Sequence, residues 1–166
     1  MSNELTWFAL YTRPRFELKA EASLKEMGII TYLPMQKTLK EWCDRKKWIT
    51  EPLFKSYCFV QINPLNYYIP LKAYGVVHYV WFDGKPAPVR DKEIEVIKLI
   101  CNSKQQVEVV DYNFEKGQNI KVTYGPLKGL EGEFIENKGK HDILVRFDSI
   151  CQGVLVSISP KHVATC

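Results

Sequence analysis

Gly117-Gln-Asn-Ile-Lys-Val-Thr-Tyr-Gly125-Pro-Leu-Lys-Gly129-Leu-Glu-Gly132 is the stretch that decides how the rest of this chain reads. It opens a series of brief alternating segments, at 119–124, 130–137, 142–148, 152–158 and 161–164, separated by glycine or by Asp-Ser. About five strands in roughly 50 residues is the pattern of a very small, partly closed β-barrel. Gly129 and Gly132 are expected at tight turns that require positive φ. A barrel of this size has no room for a buried catalytic cleft, so its work is expected at its surface, by docking.

Composition changes on moving toward the N-terminus. Of the 9 glycines, those at 117, 125, 129, 132, 139 and 153 follow residue 104, whereas the prolines at 14, 34, 52, 64, 70, 86 and 88, out of 9, precede it. Charge divides at the same place. Residues 1–104 hold 16 Lys and Arg against 11 Asp and Glu, and residues 105–166 hold 7 against 8. Two architectures are implied, with the basic first half the one suited to a polyanion. The expected layout is a first domain over 1–104, a linker over 105–113 and the barrel over 114–166. Val107, Val109 and Val110 leave open a second reading of the linker, as an added edge strand.

The first half alternates strands and helices. Trp7-Phe-Ala-Leu-Tyr11 suits a central strand. Thr12 and Pro14 then suggest a cap and first turn for a helix whose buried stripe is Phe16, Ala20, Leu24 and Met27, ending at Gly28. Ile29 to Thr50 reads as β structure folded into a hairpin about Arg45, which would set Trp42 and Trp48 side by side. Tyr57-Cys-Phe-Val-Gln-Ile62 is the clearest strand, and Leu65 to Ala73 suits a short helix. Val76 to Phe82 is strand-like, Asp83-Gly84 is a turn, and Asp91 caps a helix with its stripe at Ile94, Ile97 and Ile100 or Cys101. Hairpins between strands argue an antiparallel α+β sandwich rather than a parallel sheet.

Little in the chain suggests catalysis. His78, His141 and His162 are scattered outside any metal or acid/base spacing, and no serine sits in a nucleophile elbow. Cys and His never cluster at ligand spacing, so neither a metal nor a cofactor is expected. The five cysteines, at 43, 58, 101, 151 and 166, form no C-x-x-C pair, and the N-terminus lacks the form of a secretory signal. Reduced thiols, a cytoplasmic location and no membrane insertion follow as expectations.

Two binding features remain. In Glu51-Pro-Leu-Phe-Lys-Ser-Tyr-Cys-Phe-Val60, Phe54 and Tyr57 stand at the entrance of a strand, and Phe59 shares a face with Tyr57. Such a cluster is either core or an apolar pocket for a partner's helix. The second feature is the basic set Arg13, Arg15, Lys37, Lys40, Arg45, Lys46 and Lys47, interleaved with Tyr11, Trp42 and Trp48. It is either a solvated hairpin face or a surface for phosphates and stacked bases.

In their order along the chain these segments resemble the NusG/RfaH family of transcription elongation factors. The first half is similar to the family's N-terminal domain through Trp7-Phe-Ala-Leu-Tyr-Thr12, Gly28-Ile-Ile-Thr-Tyr-Leu-Pro34, Glu51 to Val60, Gly75-Val-Val-His-Tyr-Val80, Gly84-Lys-Pro-Ala-Pro-Val89 and Asp91-Lys-Glu-Ile94. The second half resembles a KOW domain, an SH3-like barrel, through Phe114-Glu-Lys-Gly117 and Gly125 to Gly132. Tyr-Thr-Arg-Pro-Arg-Phe-Glu at 11–17 and Trp-Cys-Asp-Arg-Lys-Lys at 42–47 are most similar to the specialised paralogues called UpxY, which act on capsular polysaccharide operons.

What this resemblance implies is a non-enzymatic, monomeric factor that seats an apolar pocket on the clamp helices of the largest RNA polymerase subunit and suppresses pausing and termination. The family positions that match are Tyr11, Phe54, Tyr57 and Phe59 for the pocket. Arg13 and Arg15 match positions that touch non-template DNA, and the hairpin set Lys40, Trp42, Arg45, Lys46, Lys47 and Trp48 would add contact with that DNA or with nascent RNA. Through its KOW domain the chain would meet Rho or a ribosomal protein. Lys55 replaces a proline common in the family, and Asn66-Tyr-Tyr-Ile69 stands where some relatives carry a His-Thr-Thr sequence. One relative's KOW domain refolds as helices, but the β-branched alternation at 120–124, 142–147 and 153–158 predicts a permanent barrel here. The alternatives are a general NusG serving all genes, and a KOW-bearing RNA-binding protein of the translation machinery that grips duplex RNA.

Overall fold

The computed structural model describes residues 4–112, 116–137 and 139–166. Asn113, Phe114 and Glu115, at the expected linker end and barrel start, lie outside the described residues. In chain order the elements are β1 (Thr6–Thr12), α1 (Glu17–Glu26), β2 (Ile30–Tyr32), β3 (Met35–Glu41), β4 (Lys46–Pro52), β5 (Tyr57–Ile62), β6 (Val76–Tyr79), β7 (Trp81–Phe82), β8 (Lys85–Pro86), β9 (Pro88–Val89) and α2 (Asp91–Asn102). They are followed by β10 (Val107–Asp111), β11 (Gln118–Val122), β12 (Glu131–Asn137), β13 (Lys140–Phe147), β14 (Gln152–Ser157) and β15 (Val163–Thr165). The chain divides into two compact units, Met1–Met35 with Pro52–Ile94, and Gln36–Glu51 with Glu95–Cys166.

In the first unit an antiparallel sheet runs β2-β5-β1-β6, with β9 also on β1. β1 is central because Trp7 to Tyr11 is apolar throughout, and its register on β5 sets Phe8 opposite Val60, Leu10 opposite Cys58 and Tyr11 opposite Tyr57. Phe8, Leu10, Leu24, Cys58, Val60, Ile62, Ala73 and Tyr79 form one buried cluster, so α1 covers the sheet through Leu24. Each Phe, Leu, Val or Ile side chain of the cluster contributes about 1.5–3 kcal/mol of transfer free energy.

The start of α1 differs from expectation. Thr12 is not its cap: its N–H donates to the Ser56 carbonyl (2.9 Å), which keeps it in β1. A turn follows with Arg15 at φ 66, and the helix begins at Glu17 with no side-chain cap from Phe16. Met27 is 38% exposed and outside the buried stripe, whereas Gly28 takes the left-handed conformation expected of it, at φ 75. Between Asn63 and Ala73 two 3-10 turns, at 64–66 and 70–72, stand in place of the single short helix. Asp83 and Gly84 both have positive φ and close the β7–β8 hairpin.

At the head of α2 the capping device is Arg90 and Glu93 rather than Asp91. The Glu93 carboxylate accepts the Arg90 N–H at 3.0 Å, a reach-back from the third helical residue that satisfies a donor the helix cannot. Ile94, Ile97 and Ile100 are buried as their spacing required.

In the second unit the sheet order is β10-β14-β13-β12-β11-β15, all antiparallel. Six strands form it rather than five, because Val107–Asp111 pairs along β14 as the edge strand that the valines left open. Ile135, Leu144 and Leu155 share a buried cluster with Val110 packed against it. In the described residues this segment is strands joined by turns, with 3-10 turns at 148–150 and 160–162, and the fold is α+β. Gly129 has the positive φ its turn required, at 92, but Gly132 does not need one. It lies within β12, where a Cβ would stand 2.5 Å from the Leu144 carbonyl oxygen, so close strand approach is its reason.

Candidate functional site

Three groups of side chains were expected from the sequence to form binding surfaces. The first is a line of rings across β6, β1 and β5. Tyr11 and Tyr57 oppose each other with ring centroids 4.7 Å apart, and the Tyr57 hydroxyl donates to the Tyr11 oxygen at 2.9 Å. His78 packs edge-on against Tyr11 at 4.8 Å. Phe54 meets Tyr57 at 6.4 Å and Phe59 at 6.3 Å, and Phe59 meets Tyr32 at 6.4 Å. The structure therefore brings together Tyr11, Phe54, Tyr57 and Phe59, the four residues of the expected pocket.

Their exposure separates them. Phe54, Tyr57 and Phe59 are 2%, 8% and 0% exposed, so they support the line from within. Tyr11 and Tyr32 are half-buried and His78 is exposed. A partner arriving on this face meets Tyr11, Tyr32 and His78 before it meets any phenylalanine. His78 was passed over in the sequence as one of three scattered histidines. The signal for it lay in β pairing, since a strand entering beside Tyr11 at 76–79 places His78 opposite it.

The loop carrying Phe54 is fixed by a charged residue that the sequence did not single out. Glu17, in the first turn of α1, is only 7% exposed, and its carboxylate accepts the Ser56 N–H at 2.7 Å. Ser56 sits at φ 65, a left-handed conformation uncommon outside glycine. The hydrogen bond to a charged acceptor holds it there. Next to it Cys58 is buried, which pushes its thiol up to about 12 and leaves it a packing residue rather than a nucleophile.

Arg13 and Arg15 form the second group, both exposed on the turn between β1 and α1. The Arg13 N–H donates to Gly75 at 2.9 Å, which fixes the turn and leaves the guanidinium outside.

The third group is the β3–β4 hairpin. Trp42 and Trp48 are not neighbours in it. Trp42 and Arg45 exchange backbone hydrogen bonds (2.8 and 3.3 Å), so the turn is centred between Cys43 and Asp44, one and a half residues before the expected Arg45. The Arg45 guanidinium stands over the Trp42 indole at 5.9 Å. Lys40 pairs with Glu51 at 3.2 Å and Lys46 with Glu41 at 2.5 Å, so two of the expected phosphate ligands are engaged within the hairpin. Lys47 and Trp48 are exposed.

Within the C-terminal sheet the main polar feature joins strands rather than binding a ligand. Arg146 donates from Nε to Glu133 Oε1 (2.9 Å) and from Nη2 to Oε2 (3.2 Å), and from Nη1 to the Tyr112 carbonyl. Glu133 also accepts the Gly117 N–H at 3.0 Å. The Arg146 bonds hold the Glu133 carboxyl below its ordinary value, and Glu133 holds the guanidinium above its own. Among the described residues no group of His, Cys, Asp and Glu could hold a metal. Among the described residues no helix is long and apolar enough to cross a membrane.

Comparison with known proteins bears on the family and the fold. A family model described as transcription termination factor nusG matches residues 5–98. A solved structure of the domain interaction in Thermotoga maritima NusG is similar in fold, with 22% identity, 97% of each chain covered and a TM-score of 0.59. The MjSpt4:Spt5 complex, conformation A, matches at 16% identity over 96% of this chain and 97% of the other, with a TM-score of 0.32.

Proposed function

This chain belongs to the NusG family of transcription factors, and from that premise we propose that it binds RNA polymerase through the ring line of its first unit and suppresses pausing and termination. The target is the clamp helices of the largest subunit, and the clamp's closed state is the one favoured. A ligand shifts a two-state equilibrium only by its differential affinity for the two states, and a few kcal/mol suffices for a large change in population. Binding does this work and no catalytic group is needed. The operons served are those of polysaccharide biosynthesis, a reading supported by the wording of residues 11–17 and 42–47. Residues 1–104 would act as the polymerase-binding part, and the KOW part from 114 onward would recruit Rho or a ribosomal protein.

The observation that carries the reading is the contact of Tyr11 with His78 and Tyr57, which leaves a half-buried aromatic surface on rigid β pairing inside the segment that the family model covers. Rings held in place lose little entropy on binding and are common anchors of interfaces.

The test is retention of the full chain on immobilised core polymerase, together with pause lifetimes in its presence. Tyr11→Ala is expected to weaken retention about thirtyfold, the size of a hot-spot truncation, and to restore pausing. Equal retention and equal pausing with and without the Tyr11 ring would remove this surface from the mechanism.

A further inference from the structure

His78 reaches the ring surface through strand pairing and is held there by a residue of the core. β6 enters antiparallel beside β1, with Leu10 opposite Tyr79 and Tyr11 opposite His78. Side chains alternate between faces along a strand, and opposed residues share a face. Leu10 and Tyr79 take the face that α1 covers, where they are 0% and 1% exposed. Tyr11 and His78 share the other face.

One of the two imidazole nitrogens is committed. His78 Nδ1 meets the Tyr79 carbonyl oxygen at 2.6 Å. A carbonyl can only accept, so Nδ1 carries the proton of the neutral ring and Nε2 keeps a lone pair. Tyr79 is itself fixed, since its ring packs edge-on against Phe8 at 5.7 Å and its hydroxyl donates to the Tyr67 carbonyl at 2.6 Å. The group that orients His78 is therefore anchored in the core. The outcome is an exposed imidazole of defined tautomer, 4.8 Å from the Tyr11 ring, whose Nε2 has no hydrogen bond among the described residues.

We propose that His78 is a specificity-determining residue of the ring surface, its Nε2 accepting a hydrogen bond from an N–H-bearing side chain of the helix that seats on Tyr11. The inference rests on the proposed docking of that surface on the polymerase clamp helices. Rings alone discriminate little, because a range of apolar side chains can fill the space beside them. An acceptor at their edge discriminates more: a partner without a donor there leaves a desolvated nitrogen unpaired. Main-chain N–H groups inside a helix are already bonded to that helix, so the donor must come from a side chain such as Asn, Gln, Lys or Arg. A carboxylate in its place would set acceptor against acceptor on the neutral ring. Because the imidazole is oriented before the partner arrives, the bond costs little ordering entropy.

Two amide substitutions separate the two nitrogens. His78→Asn puts an amide near the place of Nδ1 and retains a bond to the Tyr79 carbonyl, whereas His78→Gln reaches the place of Nε2 and retains an outward acceptor. His78→Phe keeps a ring and removes both. The experiment is retention of the full chain on immobilised core polymerase for these three variants, with Tyr11→Ala alongside and a circular-dichroism melt of each. His78→Asn and His78→Phe are each expected to weaken retention about fivefold, the worth of one hydrogen bond, with His78→Gln within about twofold of wild type. The reverse order, His78→Asn retained and His78→Gln lost, would overturn the proposal by showing that the imidazole serves β6 and not the partner. So would wild-type or tighter retention of His78→Phe. If Tyr11→Ala alone weakens retention, the acceptor is refuted and the docking surface stands. If the His78 variants behave as expected while Tyr11→Ala is retained like wild type, the acceptor is upheld and the Tyr11 reading falls instead.

Discussion

The hydroxyls of Tyr57 and Tyr11 meet at 2.9 Å across the β1–β5 pair, the first donating to the second. The bond joins a residue that is 8% exposed to one that a partner can touch. It fixes the angle at which the Tyr11 ring is offered. Tyr57→Phe removes the donor and keeps the ring. Its expected cost is about 0.5–1.5 kcal/mol, read as a lower denaturant midpoint with an unchanged slope, with polymerase retention falling far less than in Tyr11→Ala. Equal losses of retention in the two variants would show that the hydroxyl, not the ring, is what the partner meets.

Phe54 and Phe59 behave as core. At 2% and 0% exposure, Phe54→Ala or Phe59→Ala is expected to destabilise the fold by about 3–5 kcal/mol. Loss of polymerase binding in these variants would therefore track unfolding, and a parallel circular-dichroism melt separates the two. A Phe54→Ala protein as stable as wild type would show that this ring is available to a partner after all.

Gly132 and Gly129 answer differently to alanine. At Gly132 the new Cβ would lie 2.5 Å from the Leu144 carbonyl oxygen and 2.8 Å from Ile143 Cγ1, so two paired strands must part. At Gly129 space is open and only the positive φ resists. Gly132→Ala, where backbone must move, is expected at the upper end of about 1–3 kcal/mol, above the roughly 1–2 kcal/mol of left-handed strain at Gly129→Ala. Urea midpoints of the two variants, ranked, check the order.

Glu133 gives the C-terminal sheet an acid sensitivity with a definite sign. Its carboxyl titrates lower when folded than the ordinary 4.5, mainly because Arg146 donates to it. The ionised form is thus the one the fold favours, and its contribution is full above 4.5 and lost as pH falls through the lower folded value. Glu133→Gln should be less stable than wild type at neutral pH, with the gap closing on acidification. A gap that stays constant from neutral pH to well below 4.5 would assign the loss to packing.

Much of the fold was legible from the chain alone. The alternation after Gly117 determined a small antiparallel sheet, and the run from Trp7 to Tyr11 determined a central strand, because burial on one or both faces dictates polarity residue by residue. The stripe of Ile94, Ile97 and Ile100 did the same for α2. The resemblance to the NusG family was also visible in the quoted motifs before any coordinate, and the family model over residues 5–98 established membership.

Register and exposure were decided only in three dimensions. A shift of the hairpin turn by one and a half residues separated Trp48 from Trp42 and gave it Leu39 as neighbour, since period two makes every facing relation depend on where the turn falls. No local pattern announced that Glu17 would reach Ser56, 39 residues away. Nor could periodicity say which of Tyr11, Phe54, Tyr57 and Phe59 meets solvent: sequence sets which side chains share a face, but only the neighbouring elements settle what is left uncovered.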